Sequence, residues 1–193
     1  MEIAYLHLVT NHIPIIGVPF ALFVLLIGLW RKSDALKHVA YLIFGFLAVA
    51  TVAVYFLGNG GEDFIEELPG VSHDAIEEHE EFAIFALAGV VLTGIVALFG
   101  FLRYGGLGFL FGRESAEGSS APSWVGLAVL VLGLVSAALL GYTGRLGGVI
   151  RHPEFHGGVP ATATKERTEN KAGETEDNED EKGRGRNRGG QEK

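Results

Sequence analysis

The fold is decided by the stretch FAIFALAGVVLTGIVALFGFL, residues 82–102, in which no side chain carries a charge. A helix needs about 20 residues to cross the roughly 30 Å hydrocarbon core of a bilayer, and this stretch is long enough. Three further uncharged stretches of similar length occupy residues 13–30, 39–57 and 124–144. None alternates as a strand would. The sequence therefore predicts an all-α protein, a four-transmembrane-helix bundle embedded in a lipid bilayer.

The rest of the 193-residue chain is polar at its C-terminal end. Residues 1–156 form the predicted four-helix transmembrane domain. Residues 157–193 contain almost no large apolar side chain and carry eight Lys or Arg against nine Asp or Glu. Such a segment cannot bury enough surface to offset its chain entropy, so we expect a disordered C-terminal tail.

Composition excludes several kinds of site. The chain has no cysteine, which excludes disulfides, thiolate zinc sites, iron–sulfur clusters and covalently attached c-type haem. The one methionine is Met1, so histidine is the strong metal ligand that remains, and there are seven. The net charge of −8 argues against a nucleic-acid partner.

Charge in the connections predicts the orientation. Basic residues mark the first and third connections, namely Arg31, Lys32, Lys37, Arg103 and Arg113. The second connection, residues 58–81, has no Lys or Arg and nine acidic residues. The positive-inside rule then places both termini and the acidic connection outside, in a multi-pass protein of the plasma (inner) membrane.

Helical phase singles out two histidines on the outer side. We expect the first helix to begin near Pro14, capped by Thr10 or Asn11, with His12 at the mouth of the bundle. We expect the third helix to begin at Ser72, which places His79 on its apolar face. His12 and His79 are therefore the predicted core pair of a site.

The end of the fourth helix offers further candidates. If the helix continues, His152 shares a face with Gly141, Gly144 and Gly148, and it is a candidate third metal ligand. Arg145 and Arg151 lie on the same side of the membrane and are candidate partners for haem propionates.

Three stretches carry a resemblance to a known family. They are LHLVTNHIPI at 6–15, GEDFIEELPGVSHDAIEEHEEFA at 61–83 and TGRLGGVIRHPE at 143–154. With the spans between them they resemble the bacterial membrane-protein family called domain of unknown function 2231. The first stretch departs from the family's usual form, since Leu8 and Ile13 stand where it has Pro and Phe. The resemblance implies a four-helix membrane domain, sometimes fused to cytochrome modules, and no established activity.

Three functions fit these residues. The first is a b-type haem-binding module for electron transfer, with His12 and His79 as axial ligands and Arg145 and Arg151 beside the propionates. The second is a bare zinc, copper or iron site built from His12, His79 and His152. The third is a structural membrane anchor or partner-binding module without a cofactor. No hydrolytic motif or phosphate loop occurs, and whether the protein is an enzyme stays open.

The acidic connection has two interpretations. It is a solvated segment that sets the orientation, or it docks a basic soluble electron carrier, because complementary charge raises encounter rates.

Overall fold

The computed structural model describes residues 2–66, 71–111 and 122–151, except for the side chains of Ser123 and Arg151. Seven helices occupy this part of the chain: α1 Glu2–Thr10, α2 His12–Trp30, α3 Asp34–Asn59, α4 Glu62–Glu66, α5 His73–Arg103, α6 Gly106–Leu110 and α7 Ser123–Arg151. No strand occurs among these residues. The predicted tail, 157–193, lies outside the described residues.

Four helical stretches are long and apolar enough to cross a membrane. They are Glu2–Trp30, which joins α1 and α2, Asp34–Asn59, His73–Arg103 and Trp124–Ile150. The prediction of a helical multi-pass membrane protein is confirmed. Helix α5 has 31 residues, about 46 Å at 1.5 Å per residue, and so exceeds the hydrocarbon thickness. Its polar first turns, before Phe82, therefore extend beyond the membrane-spanning segment 82–102.

The long helices form a closed ring. Helix α2 packs against α3 and α7, and α5 packs against the same two helices from the other side. Consecutive helices are thus neighbours and run up and down. We call the end with α1, α4, the start of α5 and the end of α7 the acidic end. The opposite end, with Lys32, Lys37 and Arg103, is the basic end.

The interior of the ring is filled by apolar side chains, and its outer surface is apolar too. Leu25, Tyr41 and Phe44 are fully buried at the centre. Phe46 and Phe85 are 63% and 53% exposed on the outside. Such an apolar exterior is suited to a lipid environment, because apolar side chains that face lipid carry no free-energy penalty.

Small residues let the helices approach closely. A Cβ atom on Gly94 of α5 would lie 2.5 Å from Ala48 Cβ and 3.0 Å from the Phe44 carbonyl oxygen of α3. Between α5 and α7, Thr93 Oγ1 and Ser136 Oγ are 3.0 Å apart and hydrogen-bonded. Each hydroxyl has one hydrogen, so one of them donates to the carbonyl of its own helix, Gly89 or Leu132, while the other donates across to its neighbour, and both donors are satisfied.

Candidate functional site at the acidic end

The first transmembrane stretch begins earlier than predicted, and this changes which histidine enters the bundle. Asn11 does not cap α2: its backbone is helical, with φ −61° and ψ −22°, and its N–H donates to the His7 carbonyl at 2.9 Å. Helix α2 begins at His12 and so holds Pro14 in its first turn as expected, but the expected cap is wrong, because α1 leads into α2 as an almost continuous helix. His7, Asn11 and Ile15 are thereby spaced four apart and share one face.

His7 is held against α3. Its Nδ1 lies 2.9 Å from the carbonyl oxygen of Val54. Gly58, four residues later on α3, leaves the room for the ring, since a Cβ there would lie 3.0 Å from His7 Cε1. The ring is half-buried and ties α1 to α3.

His79 is held against α7 in the same manner. Its Nδ1 lies 3.0 Å from the carbonyl oxygen of Thr143, and a Cβ on Gly147 would lie 3.2 Å from its Cε1. Gly147 again follows the accepting residue by four. His79 is half-buried, as its predicted place on the apolar face of α5 requires, and His7 lies within electrostatic range of it.

These hydrogen bonds define the protonation of both rings. A carbonyl oxygen can only accept, so Nδ1 of His7 and of His79 carries the hydrogen. In the neutral imidazole Nε2 then holds a lone pair. Neither Nε2 has a hydrogen-bond partner within the described ranges. Histidines that ligate metals are oriented in this way, with the second ring nitrogen donating to a carbonyl or carboxylate.

Asn11, one helical turn from His7, adds an unsatisfied oxygen. Its Oδ1 is buried and has no hydrogen-bond partner among the residues that the structure describes. One turn further into the bundle, Ile15 Cδ1 lies 3.6 Å from the position of a Cβ on Gly144 of α7. The Ile15 end of this face therefore packs against α7, whereas His7 at its other end packs against α3.

The other predicted site residues are placed differently. His12 is exposed, and its Nδ1 contacts the Leu8 carbonyl of its own helix at 3.1 Å. The contacts thus bring His7, and not His12, toward His79. Arg145 is exposed on α7. Arg151 ends α7 without a described side chain, and His152 lies outside the described residues.

Carboxylates surround the acidic end. The pKa of Glu80, on the polar extension of α5, is raised to about 7 by burial, by a hydrogen bond with Glu62 and by the negative charges of Glu62 and Glu66. His73 Nδ1 lies 2.8 Å from a carboxylate oxygen of Glu66. Over residues 2–66, 71–111 and 122–151, no group of three or more His, Asp or Glu side chains is arranged to hold a metal ion.

A third histidine, at the basic end, serves as a comparison. His38 Nε2 donates to the Tyr104 carbonyl at 3.0 Å, and the residue is 2% exposed. Aromatic rings enclose it, with centroids 5.6 Å away for Phe101 and Phe109 and 6.4 Å away for Tyr41. His38 is a structural tie between α3 and the turn after α5.

The chain matches no family model, no curated protein and no solved structure in the comparisons made.

His7 could have been found from sequence. Counting back from the apolar positions Val18, Ile15 and Pro14 in helical steps of three and four leads to Asn11 and His7. A cap at Thr10 or Asn11, expected because proline fits the first turn of a helix so well, hides this continuation.

Proposed function

We propose that the protein is an integral membrane module that binds a transition-metal centre through His7 and His79 at its acidic end and takes part in electron transfer. The observation that carries this proposal is the matched pair of Nδ1 hydrogen bonds to Val54 and Thr143. Each bond orients a ring and leaves its Nε2 lone pair available as a ligand.

A b-type haem is the kind of metal centre for which two imidazoles are the only ligands that the protein has to supply. The porphyrin supplies four nitrogen ligands, so His7 and His79, from separate helices, would hold the iron by supplying the remaining two. Arg145 is the candidate partner for a propionate, and Arg151 is a second one. A bound haem would supply reversible one-electron chemistry, as a redox-active bare ion would.

The chain's own residues do the positioning in either case. The carbonyls of Val54 and Thr143 fix the tautomer and the plane of each ring, and Gly58 and Gly147 make room for them. Partial burial excludes part of the water and so strengthens the interaction between a cation and its ligands.

Orientation and partner follow from charge. The basic end carries Lys32, Lys37 and Arg103, so we propose that it faces the cytoplasm and that the acidic end faces outward from the plasma membrane. A basic soluble electron carrier is the partner that exposed carboxylates such as Asp63 and Glu77 would attract.

The test is spectroscopy and metal analysis of one detergent-purified sample, made in cells with ample haem and metal. A Soret band with a reduced-minus-oxidised α band indicates haem. Stoichiometric zinc, copper or iron without a Soret band indicates a bare ion. Either signal should be lost in His7→Ala and in His79→Ala.

Matched controls separate the site from surface histidines. His12→Ala and His73→Ala remove exposed imidazoles at the same end and should keep the signal. If neither haem nor metal is found in protein that is folded by circular dichroism, the proposal fails. His7 and His79 would then be helix ties of a cofactor-free membrane anchor, as His38 is a tie at the basic end.

A further inference from the structure

We infer that Asn11 is the third protein ligand of this site, so that the centre is a bare divalent transition-metal ion held by His7 Nε2, His79 Nε2 and Asn11 Oδ1. This inference rests on the proposed function, because it uses the same two imidazoles. The added observation is the buried amide oxygen that has no partner among the described residues.

Helical register places Asn11 beside the imidazoles. Asn11 follows His7 by four residues and so lies one turn along the same face. Ile15, the next residue on that face, packs against Gly144 of α7. Because α7 runs antiparallel to α2, one turn from this contact toward the acidic end leads to Asn11, which joins α1 to α2, and to Gly147 on α7. His79 packs on Gly147, so Asn11 and His79 lie in the same layer of the bundle.

An unpaired buried amide oxygen is costly, and its chemistry limits what can satisfy it. It is an acceptor only, so it needs a hydrogen-bond donor or a cation. Removal of a buried acceptor's partner leaves the full desolvation cost. A cation between the three side chains would satisfy this oxygen and both Nε2 lone pairs at once. Two imidazole nitrogens and one oxygen are ligands that both iron(II) and zinc accept, and of the two only iron(II) has the redox chemistry that the proposed electron transfer needs.

The protein's own folding gives an independent readout. Without metal, the oxygen destabilises the bundle, so Asn11→Leu should raise the Tm of the metal-free protein. With metal bound, the same substitution removes a ligand and should reduce the gain in Tm that metal provides. A purely structural asparagine would not give these opposite effects.

The experiment is a titration of the detergent-purified full chain, stripped with chelator, with cobalt(II). Visible absorption reports the coordination, and competing zinc(II) gives the zinc affinity. We expect Asn11→Leu to weaken binding at least tenfold and Asn11→Asp, which supplies a charged oxygen in the same place, to retain or tighten it. His12→Ala is the matched control and should bind like the unmodified protein.

The outcomes separate this inference from the proposed function. If His7→Ala and His79→Ala abolish cobalt binding while Asn11→Leu binds normally, the two-imidazole centre stands and Asn11 is not its ligand. A Soret band in the purified protein that is lost in the two histidine variants would likewise overturn the inference of a bare ion and leave the proposed function standing. If the histidine variants bind cobalt as the unmodified protein does, both proposals fail.

Discussion

Replacement of Gly147 by alanine tests the feature on which the site depends, the seating of an imidazole on a helix carbonyl. The new methyl group would lie 3.2 Å from His79 Cε1 and 3.5 Å from its Nδ1. Carbon atoms pack best at about 3.5–4.0 Å, so the ring must retreat by several tenths of an ångström. Its 3.0 Å hydrogen bond to Thr143 would then stretch toward the limit for such bonds.

The magnitude follows from two opposing effects. Alanine is favoured over glycine in a helix interior by about 1 kcal/mol. Weakening the histidine–carbonyl bond costs about 0.5–1.5 kcal/mol. Gly141, on the same helix, has no atom within 4 Å of a Cβ position. Gly141→Ala should therefore raise the free energy of unfolding by the helix preference alone. Gly147→Ala should raise it little or lower it, so the two variants should differ by about 1 kcal/mol.

Reversible unfolding in mixed micelles, with increasing denaturing detergent, measures both free energies of unfolding. Nitrogen NMR of labelled histidine reports whether His79 Nδ1 still carries the hydrogen. A Gly147→Ala protein that gains as much stability as Gly141→Ala, with an unchanged His79 spectrum, would refute the seating of the ring.

Three further predictions follow from the fold. In a double-mutant cycle, Thr93→Ala and Ser136→Ala should show a coupling free energy of about 0.6 kcal/mol in detergent unfolding, a typical value for a hydrogen bond between membrane helices. Gly94→Val should destabilise the bundle by about 1–3 kcal/mol in the same assay, because its side chain meets the backbone of α3 and cannot be accommodated by a rotamer change. Folding raises the pKa of Glu80 from 4.5 to about 7, so between these pH values the folded protein retains a proton that the unfolded chain releases. The free energy of unfolding should therefore fall as pH rises from about 4.5 to 7. Glu80→Gln should remove this part of the pH dependence, and an unchanged dependence of the free energy of unfolding on pH would contradict the raised pKa.

Much of the fold could be predicted from local sequence. Uncharged runs identify the four spans, because burying a charge in hydrocarbon is so unfavourable that its absence over 20 residues is informative. His79 could also be assigned, since its neighbours in sequence are glutamates while its helical neighbours Ile76 and Ala83 are apolar. Both inferences use only periodicity within one helix.

The parts that could not be predicted depend on how helices meet. The acceptors of His7 and His79 are backbone carbonyls, which have no sequence signature, and their position depends on the register of antiparallel helices. The one trace in the sequence is a glycine four residues after each acceptor, Gly58 and Gly147. Glycine is common in membrane helices for ordinary packing, so neither would have been selected without the structure.

The contrast with His38 is the strongest reason to assign a ligand role to the acidic-end pair. A histidine that only ties helices together is best enclosed, as His38 is by aromatic rings at 2% exposure. His7 and His79 are tied by the same kind of bond but remain half-buried, and the unpartnered Asn11 oxygen lies beside them. The buried Asn11 oxygen would cost stability in a structural joint, and the two Nε2 lone pairs beside it are available to a ligand. The buried Tyr41 hydroxyl beside His38 also lacks a partner among the described residues, so it is the grouping of an amide oxygen with two imidazole nitrogens at the acidic end that a bound ligand explains.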